Sequence, residues 1–355
     1  MTRPIRLLAT TVASLALVLA PTTAVVADEQ VRCGQEVSGD VVLTANLRCR
    51  DGAGLRVVGD ATIDLDGRAL VGPGSASGTA AIAVGVGVTV TITDGTVRGW
   101  GAAVSGPPPW DGEWATVTVS RMTLADNGTA VAASTMNVAV LDSRLVRNGT
   151  GVHVWPGTAV IERSDVVRNG TGASVGDGSS LRIRRSSFDR NDVAVDCDQA
   201  LTDVTDSSLR RNGTGLTSWW CTGTIARNDV VANGRGASLG LHDRFTVEQN
   251  AFLRNEVGVE LRFGDVSLIR DNEFRGNGAG IRESAESEGA ATVIQGNTLT
   301  RNGDGIYLTN PGVSLGGNAA LRNTRWGIHA PGAIDLGGNT ASRNGNPEQC
   351  LGVTC

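Results

Sequence analysis

The sequence contains no lysine, so all 31 of its basic residues are arginine. Aromatic residues make up only 4% of the chain, with a single tyrosine. The net charge of −5 argues against a nucleic-acid partner, which would need a basic surface. The three histidines, His153, His242 and His329, lie in distant parts of the chain, which argues against a metal triad. The sequence also lacks a phosphate loop, a nucleophile elbow and zinc-ligand spacing.

Long apolar runs are absent after residue 27, so the sequence predicts no membrane span. Residues 1–27 have the pattern of a secretion signal: Arg3 and Arg6 come first, an apolar stretch follows over 7–20, and small residues precede Asp28. We therefore expect the mature protein to be secreted and extracellular.

The six cysteines are consistent with an oxidising compartment, where disulfides persist. Six cysteines allow fifteen connectivities, and proximity in sequence favours pairing between nearest neighbours. The pairs predicted in this way are Cys33–Cys49, Cys197–Cys221 and Cys350–Cys355.

A short phrase, close to Asn-Gly-Thr-Gly followed by an apolar residue, recurs along most of the chain. Its intervals are 21 or 22 residues, with one of 25. The asparagines of this phrase are Asn127, Asn148, Asn169, Asn191, Asn212, Asn233, Asn255, Asn277, Asn302, Asn323 and Asn344. A fixed short period of this kind is the mark of a solenoid.

The other columns of the repeat show what each unit contains. For Asn148, apolar residues lie eight and three positions earlier, at Val140 and Leu145, and Ser143 lies between them. The later repeats place Asn where Ser143 stands. The 48 glycines and the β-branched residues exclude a helical array, and a leucine-rich repeat would need Leu at the Ser143 position. Tandem Asn-Gly hairpins would each need a partner strand.

These observations predict an all-β chain folded as a single-stranded right-handed parallel β-helix of about fourteen coils. Three short strands per coil would stack about 4.8 Å apart, and equivalent asparagines would hydrogen-bond along the stack. We expect an N-terminal cap over 28–60, stapled by Cys33–Cys49, the β-helix over 61–345 and a C-terminal tail over 346–355. The Pro-rich segment 106–114 is expected to protrude as a loop.

The segments Ile63-Asp64-Leu65-Asp66-Gly67 and Thr93-Asp94-Gly95, followed by the Asn-Gly-Thr-Gly units, resemble the β-helix repeat proteins of the pectin-lyase-like superfamily. The resemblance implies the fold; because the superfamily includes polysaccharide lyases, hydrolases, epimerases and adhesins, it does not fix the activity. Leu241-His242-Asp243-Arg244 is similar to the Asp-Pro-His-Asp-Arg segment of alginate epimerases. The chain lacks the first carboxylate of that segment and the lysine that many such enzymes use.

If the apolar residue four positions after each repeat Asn points inward, the residues five and seven positions after it point outward on one face. Tryptophan rings can stack on sugars, and arginine pairs with carboxylates through two hydrogen bonds. We therefore predict that His153, Trp155 and Trp219 bind ligand on this face. Hard oxygen ligands at Asp177, Asp196 and Asp198 suggest a Ca²⁺ site, and a solvated acidic face is the alternative.

Candidate catalytic residues on or beside the same face are His242, Glu260, Arg262, Arg282 and Tyr307. β-Elimination from a uronate needs a cation beside the carboxylate, a base and an acid, roles for which arginine, tyrosine and histidine are suited. The sequence thus predicts a protein that binds or modifies acidic extracellular polysaccharide, with lyase-like chemistry if it is catalytic. The alternative is a non-catalytic structural or surface-interaction solenoid.

Overall fold

The computed structural model describes residues 31–355 apart from 109–111, 241, 263–266 and 285–290. The predicted secretion signal and the tip of the Pro-rich segment lie outside the described residues. Val31–Cys355 forms one compact unit. The described part of this unit contains 39 β-strands and no helix. No helix in that part is long and apolar enough to cross a membrane.

The strands stack in three parallel columns, because each coil of the chain contributes one strand to each column. The first column contains β1 (Glu36–Val42), β3 (Leu55–Asp64), β6 (Thr89–Arg98), β8 (Ala115–Ala125), β10 (Met136–Leu141), β13 (Gly157–Glu162), β16 (Ser180–Arg184), β19 (Leu201–Thr205), β22 (Thr222–Ala226), β25 (Arg244–Glu248), β28 (Leu268–Arg270), β31 (Val293–Gln295), β34 (Ser314–Gly316) and β37 (Ile334–Gly337). These strands define fourteen rungs, as predicted.

The second column consists of shorter strands, together with the ends of β6 and β8. It contains β2 (Leu47–Arg48), β4 (Ala69–Val71), β11 (Arg144–Val146), β14 (Asp165–Val167), β17 (Ser187–Asp189), β20 (Ser208–Arg210), β23 (Asp229–Val231), β26 (Ala251–Leu253), β29 (Glu273–Arg275), β32 (Thr298–Thr300), β35 (Ala319–Leu321) and β38 (Thr340–Ser342).

The third column carries the candidate site. It contains β5 (Ala80–Val84), β7 (Ala102–Ser105), β9 (Thr129–Ala133), β12 (Thr150–Val154), β15 (Thr171–Val175), β18 (Val193–Asp198), β21 (Thr214–Trp219), β24 (Arg235–Leu239), β27 (Val257–Leu261), β30 (Ala279–Glu283), β33 (Asp304–Tyr307), β36 (Ile328–His329) and β39 (Cys350–Leu351). The predicted parallel β-helix is therefore confirmed, and β39 extends it into the segment expected to be a tail.

The interior is lined by the apolar columns of the repeat. Phe252 and Phe274, one rung apart, stack with their ring centroids 4.8 Å apart, which is the spacing of adjacent strands. The asparagines of the repeat form a buried ladder. After Asn127, each accepts hydrogen bonds at its Oδ1 from the backbone and side-chain nitrogens of the preceding asparagine, as Asn233 does from Asn212 at 2.8 and 3.0 Å. The ladder ends at Asn344, whose nitrogens donate to Gln349.

All three predicted disulfides are present. Cys33–Cys49 closes the first coils, Cys350–Cys355 closes the last one, and Cys197–Cys221 joins neighbouring coils in the middle of the chain. The Cα atoms of each pair are 5.7 to 6.3 Å apart.

Candidate functional site

The third strand column presents one continuous outer surface, which we call the post-asparagine face. Its central column is formed by the residues five positions after each ladder Asn, and the strand registers place them directly over one another. In order they are His153, Ser174, Asp196, Thr217, Ser238, Glu260, Arg282 and Tyr307; on the next rung the register places His329, six positions after Asn323, over Tyr307. Equivalent positions of successive rungs are therefore stacked along the whole face, although Ser238 and Glu260 are buried by their neighbours.

Glu260 is the centre of an ion-pair cluster on this face. Arg235 donates from Nε to Oε2 of Glu260 at 2.6 Å, and Arg282 donates from Nη2 to Oε1 at 2.9 Å. The hydroxyl of Ser238 also donates to Oε2, at 3.3 Å. These neighbours leave Glu260 only 4% exposed. Burial alone would raise the pKa of its carboxyl, but the hydrogen bond from Arg282 and the charge of Arg235 outweigh burial and lower that pKa.

An aromatic group follows on the next rungs. Tyr307 pairs in register with Arg282 on one side and with His329 on the other. The rings of Tyr307 and His329 stack with centroids 4.5 Å apart, and Trp326 packs edge-on against His329 at 4.8 Å. The cluster of charges therefore continues directly into a stacked aromatic surface.

Two shallow depressions of about 600 and 570 Å³ adjoin along this region. They share Asp304, Tyr307 and Arg325; Glu260 and Arg282 line the first, and Trp326 lines the second. We call this surface the charged groove. Within it, Arg325 donates to the carboxylate of Asp304. The groove thus offers partly exposed guanidinium groups, held in place by carboxylates, beside aromatic rings.

The five predicted catalytic residues do not form one site. Glu260, Arg282 and Tyr307 line the charged groove. Arg262 instead donates from Nη2 to the hydroxyl of Thr217 and the carbonyl of Ser218, both at 3.3 Å, because the intervening rung has Gly240 and leaves space for its side chain.

His242 is exposed in the turn after β24, and its ring contacts Trp220 with centroids 4.6 Å apart. The interpretation of His242 and Arg262 as partners of Tyr307 is therefore not supported by their positions. Beside them, Asp243 is fully buried and accepts hydrogen bonds from Ser218 and from the backbone of Cys221 and Gly240.

The predicted ligand-binding residues lie further along the same face. Trp155 and Trp219 are 44% and 39% exposed, and both lie seven positions after a ladder Asn. The ring of each lies against a glycine of the next rung: a Cβ added at Gly176 or Gly240 would be 3.4 or 3.3 Å from the indole. His153 is exposed on the same face, but its ring is partly surrounded by protein. This partial burial lowers the pKa of His153, and the charge of Asp196 offsets part of the effect.

The predicted calcium ligands do not converge. Asp177 is in an exposed turn after β15, whereas Asp196 is half-buried on β18, where burial and the charge of Asp198 raise its pKa. Within residues 31–355, outside the four gaps, no three His, Cys, Asp or Glu side chains are grouped so as to hold a metal ion.

The thiolate, thioether and imidazole ligands that transition metals such as copper favour are also not grouped among the described residues. All six cysteines are in disulfides, and the three histidines are each about four rungs, or roughly 19 Å, from the next. Met122 and Met136 are buried in the core. The described side chains therefore do not fit a copper centre.

Sequence reasoning missed Arg235, Asp304 and Arg325, which complete the charged groove. All three lie two positions after a ladder Asn, where most earlier repeats have threonine, as at Thr150 and Thr171. The replacement of threonine by charged residues in this column was the signal that could have identified them.

The chain was compared with known families and structures. The pattern of the family described as "Periplasmic copper-binding protein (NosD)" matches residues 137–311 and 198–346, which together exceed half of the chain. No curated protein matches it. Among solved structures, the periplasmic alginate epimerase AlgG superposes with a TM-score of 0.53 at 15% identity, over 89% of this chain and 79% of AlgG. The mannuronan C-5 epimerase AlgE6 A-module from Azotobacter vinelandii gives a TM-score of 0.45 at 14% identity, over 86% of this chain and 91% of that module.

Proposed function

Since the chain belongs to the family described as periplasmic copper-binding protein (NosD), but the side chains that the structure describes do not fit a copper centre, we propose that it acts outside the cytoplasm as a binding protein for acidic polysaccharide. The post-asparagine face is the proposed binding surface, and the charged groove is its centre. The observation that carries the proposal is the buried Glu260 between Arg235 and Arg282, next to the stack of Tyr307 and His329.

Glu260 orients the two arginines without using all of their donors. A guanidinium has five N–H groups, and Arg282 uses one nitrogen, Nη2, for Glu260 while its side chain remains 42% exposed. A guanidinium fixed at one end can pair with a ligand carboxylate through its remaining donors. Repetition of subsites every rung, about 4.8 Å, suits a linear polymer that lies along the face.

The aromatic residues supply apolar contact for sugar rings. Tyr307 and Trp326 lie in the groove, and Trp155 and Trp219 are exposed along the same face toward the N-terminal end. Each Trp lies against a glycine rather than a bulky neighbour, so its ring is accessible. Together these residues would allow a polysaccharide chain to contact several rungs.

Binding is favoured over lyase-like cleavage by the state of Glu260. Its lowered pKa and its two arginine partners stabilise the carboxylate and make it a weak base. Of the two residues predicted to transfer protons, Tyr307 lies in the charged groove, but His242 lies against Trp220 and outside it, so the predicted acid and base are not brought together. A purely structural solenoid is the remaining alternative.

The proposal is tested by calorimetric titration with oligogalacturonate. Arg282→Gln and Tyr307→Ala should each weaken binding by about five- to tenfold, the effect of losing one partly exposed charged or aromatic contact. Arg270→Gln is the matched control, because Arg270 is 47% exposed and also pairs with a glutamate, Glu248, but lies on the first strand column.

Unchanged affinity in both groove variants would reject the groove as the binding site. Absence of binding to any acidic or neutral polymer would favour the structural alternative. Release of unsaturated uronate, detected by its ultraviolet absorbance, would show that the protein cleaves the polymer as a lyase, contrary to the proposed binding function.

A further inference from the structure

Each rung contains a left-handed turn just before its ladder Asn, and these turns carry a column of arginines. From β11 to the end of the chain the column is mostly arginine, interrupted by Ala232 and Gly276. Its arginines are Arg147, Arg168, Arg190, Arg211, Arg254, Arg301, Arg322 and Arg343, and all are exposed. We call this column the arginine stripe. It lies between the second and third strand columns and is separate from the post-asparagine face.

The backbone at these positions does not require arginine. Every residue of the stripe has a positive φ, between 54° and 58°, a conformation that favours glycine and asparagine. The same turn accepts Gly276, with φ 69°, and Ala232, with φ 55°. Arginine therefore occurs eight times where the fold would be served at least as well by glycine, which points to a role outside folding.

The other left-handed turn of each rung, between the first and second strand columns, provides a comparison. There arginine and aspartate are mixed, and several of them neutralise each other across neighbouring rungs. Arg163 donates to Asp142 at 2.7 and 2.9 Å, and Arg227 donates to Asp206 at 2.8 and 3.1 Å. A general preference for arginine at the surface would not produce opposite patterns in two equivalent turns.

The stripe is least neutralised at its C-terminal end. Arg147 pairs with Asp126, and Arg190 and Arg211 share Asp189. Arg301, Arg322 and Arg343, on three consecutive rungs, form no ion pair with any described residue. They line a depression of about 380 Å³ together with Thr300, Leu321 and Ser342, none of which carries a charge.

We propose that the arginine stripe, centred on Arg301, Arg322 and Arg343, is a docking surface for a linear anionic glycan. One guanidinium per rung gives a straight row of positive charges about 4.8 Å apart, which complements a polymer with one anionic group per sugar unit. This surface is distinct from the charged groove and does not depend on the function proposed for it.

Two other polyanions fit the stripe less well. Single-stranded nucleic acid would be bound by exposed aromatic side chains interleaved with the charges. The residues immediately before the stripe arginines, such as Thr300, Leu321 and Ser342, include no aromatic residue, and the phenylalanines of the second column are buried. An anionic membrane would be bound by a broad basic surface with exposed apolar anchors, whereas this stripe is one residue wide.

The test compares two triple variants. Arg301→Gly, Arg322→Gly and Arg343→Gly together remove the three unpaired arginines that lie on consecutive rungs of the stripe; Gly276 shows that the turn accepts glycine. Arg163→Gly, Arg185→Gly and Arg227→Gly form the matched control, with the same change in charge at the same backbone conformation in the other turn. Thermal denaturation should show both variants folded, since glycine is favoured at positive φ.

Binding of long polygalacturonate is then measured at several salt concentrations. If each exposed guanidinium contributes about fivefold, the stripe variant should bind about a hundredfold more weakly, with a shallower salt dependence, and the control variant within about twofold of the natural chain. An equal loss in both variants, or no loss in the stripe variant, would overturn the proposal. Stripe-dependent binding of single-stranded DNA or of anionic vesicles with no stripe-dependent binding of polygalacturonate would also overturn it. Adding Arg282→Gln to each variant separates this result from that of the charged groove, because the two surfaces share no residue.

Discussion

Glu260 is the residue on which the geometry of the charged groove depends. Its carboxylate is almost completely covered, yet it contacts two arginines that are themselves 49% and 42% exposed on their side chains. A buried carboxylate in this arrangement fixes the direction of both guanidinium groups. We therefore assign Glu260 a positioning role and assign contact with ligand to Arg282 and Tyr307.

Replacing Glu260 with glutamine should destabilise the fold at neutral pH by about 1–2 kcal/mol, because two charge-assisted hydrogen bonds lose their anionic acceptor and the arginines are partly solvent-screened. Since the folded pKa of Glu260 lies below its ordinary value of 4.5, this stabilisation is present above pH 4.5 and is lost as the pH falls through the folded pKa. Urea denaturation at pH 7 and at a series of decreasing pH values below 4.5 should therefore show a difference between the two proteins that shrinks as the pH falls. A difference that stays constant over the whole series while the natural protein remains folded would contradict this account. Glu248→Gln, which removes a carboxylate paired with Arg270 alone, is the control.

The sequence was sufficient to place Glu260, Arg282 and Tyr307 on one face, because strand alternation and the repeat period determine which residues share a column. It was not sufficient for Arg262 or His242. The direction of Arg262 depends on the space left by Gly240 and on acceptors two rungs away, and that of His242 depends on contact with Trp220. A long side chain can adopt several conformations with different hydrogen-bond partners, and the repeat pattern does not predict which of them it adopts.

At the scale of the strands and turns, the asparagine ladder is the element that sets the register. Asn233 accepts from Asn212 and donates to Asn255 at 3.0 Å and to the carbonyl of Leu209 at 3.0 Å. Each ladder amide therefore satisfies buried polar groups on the rungs before and after it. Because Asn127, Asn148, Asn169 and Asn212 are buried in this ladder, their Asn-Gly-Thr sequences are not accessible glycosylation sites in the folded protein.

Asn233→Ala should lower the free energy of unfolding by about 2–4 kcal/mol, because the backbone nitrogen of Asn212 and the carbonyl of Leu209 lose their partners inside the stack. Asn233→Ser should recover part of the loss. In the other turn of the rung, between the first and second strand columns, Ser164 already accepts a hydrogen bond from the backbone nitrogen of Ser143 at 3.1 Å. Chemical denaturation followed by circular dichroism measures both variants. Asn344→Ala, at the end of the ladder, should cost less, and a larger cost there than at Asn233 would be inconsistent with a buried cooperative ladder.

The fold could be predicted in detail because each column of the repeat was visible in the sequence: the aliphatic residues mark the interior, and the asparagines and glycines mark the turns. The three disulfides also followed from proximity. The start of the stack was harder to predict, because the first coils lack the Asn phrase. Glu36–Val42 already pairs in parallel with Leu55–Asp64, with a register shift between Val37 and Gly39, so parallel stacking begins inside the segment expected to be a cap.

At the scale of the whole molecule, the chain belongs to a family described as copper-binding, but its described residues outside the four gaps contain no fitting ligand set. The cysteines are all oxidised, and the described histidines are isolated from one another. Copper bound under these conditions would have at most one imidazole at any place on the described surface.

The purified protein with intact disulfides should therefore retain no stoichiometric copper after dialysis against a weak chelator, as measured by elemental analysis. The triple variant His153→Ala, His242→Ala and His329→Ala should give the same result. One tightly held copper ion per chain in the natural protein, lost in this variant, would show that the histidines bind copper by a route that the arrangement of side chains does not reveal.

Because equivalent residues of successive rungs stack in register, each surface column repeats at a fixed spacing along the molecule. A duplication of one 21-residue unit, cut at equivalent asparagines such as Asn127 and Asn148, would insert a complete rung without changing the contacts on either side. Each such insertion would lengthen every surface column by one position, and so add one guanidinium at a fixed step when the copied unit carries one. The number of tandem copies, rather than any single substitution, would then determine the length of polymer that can contact the surface of the protein.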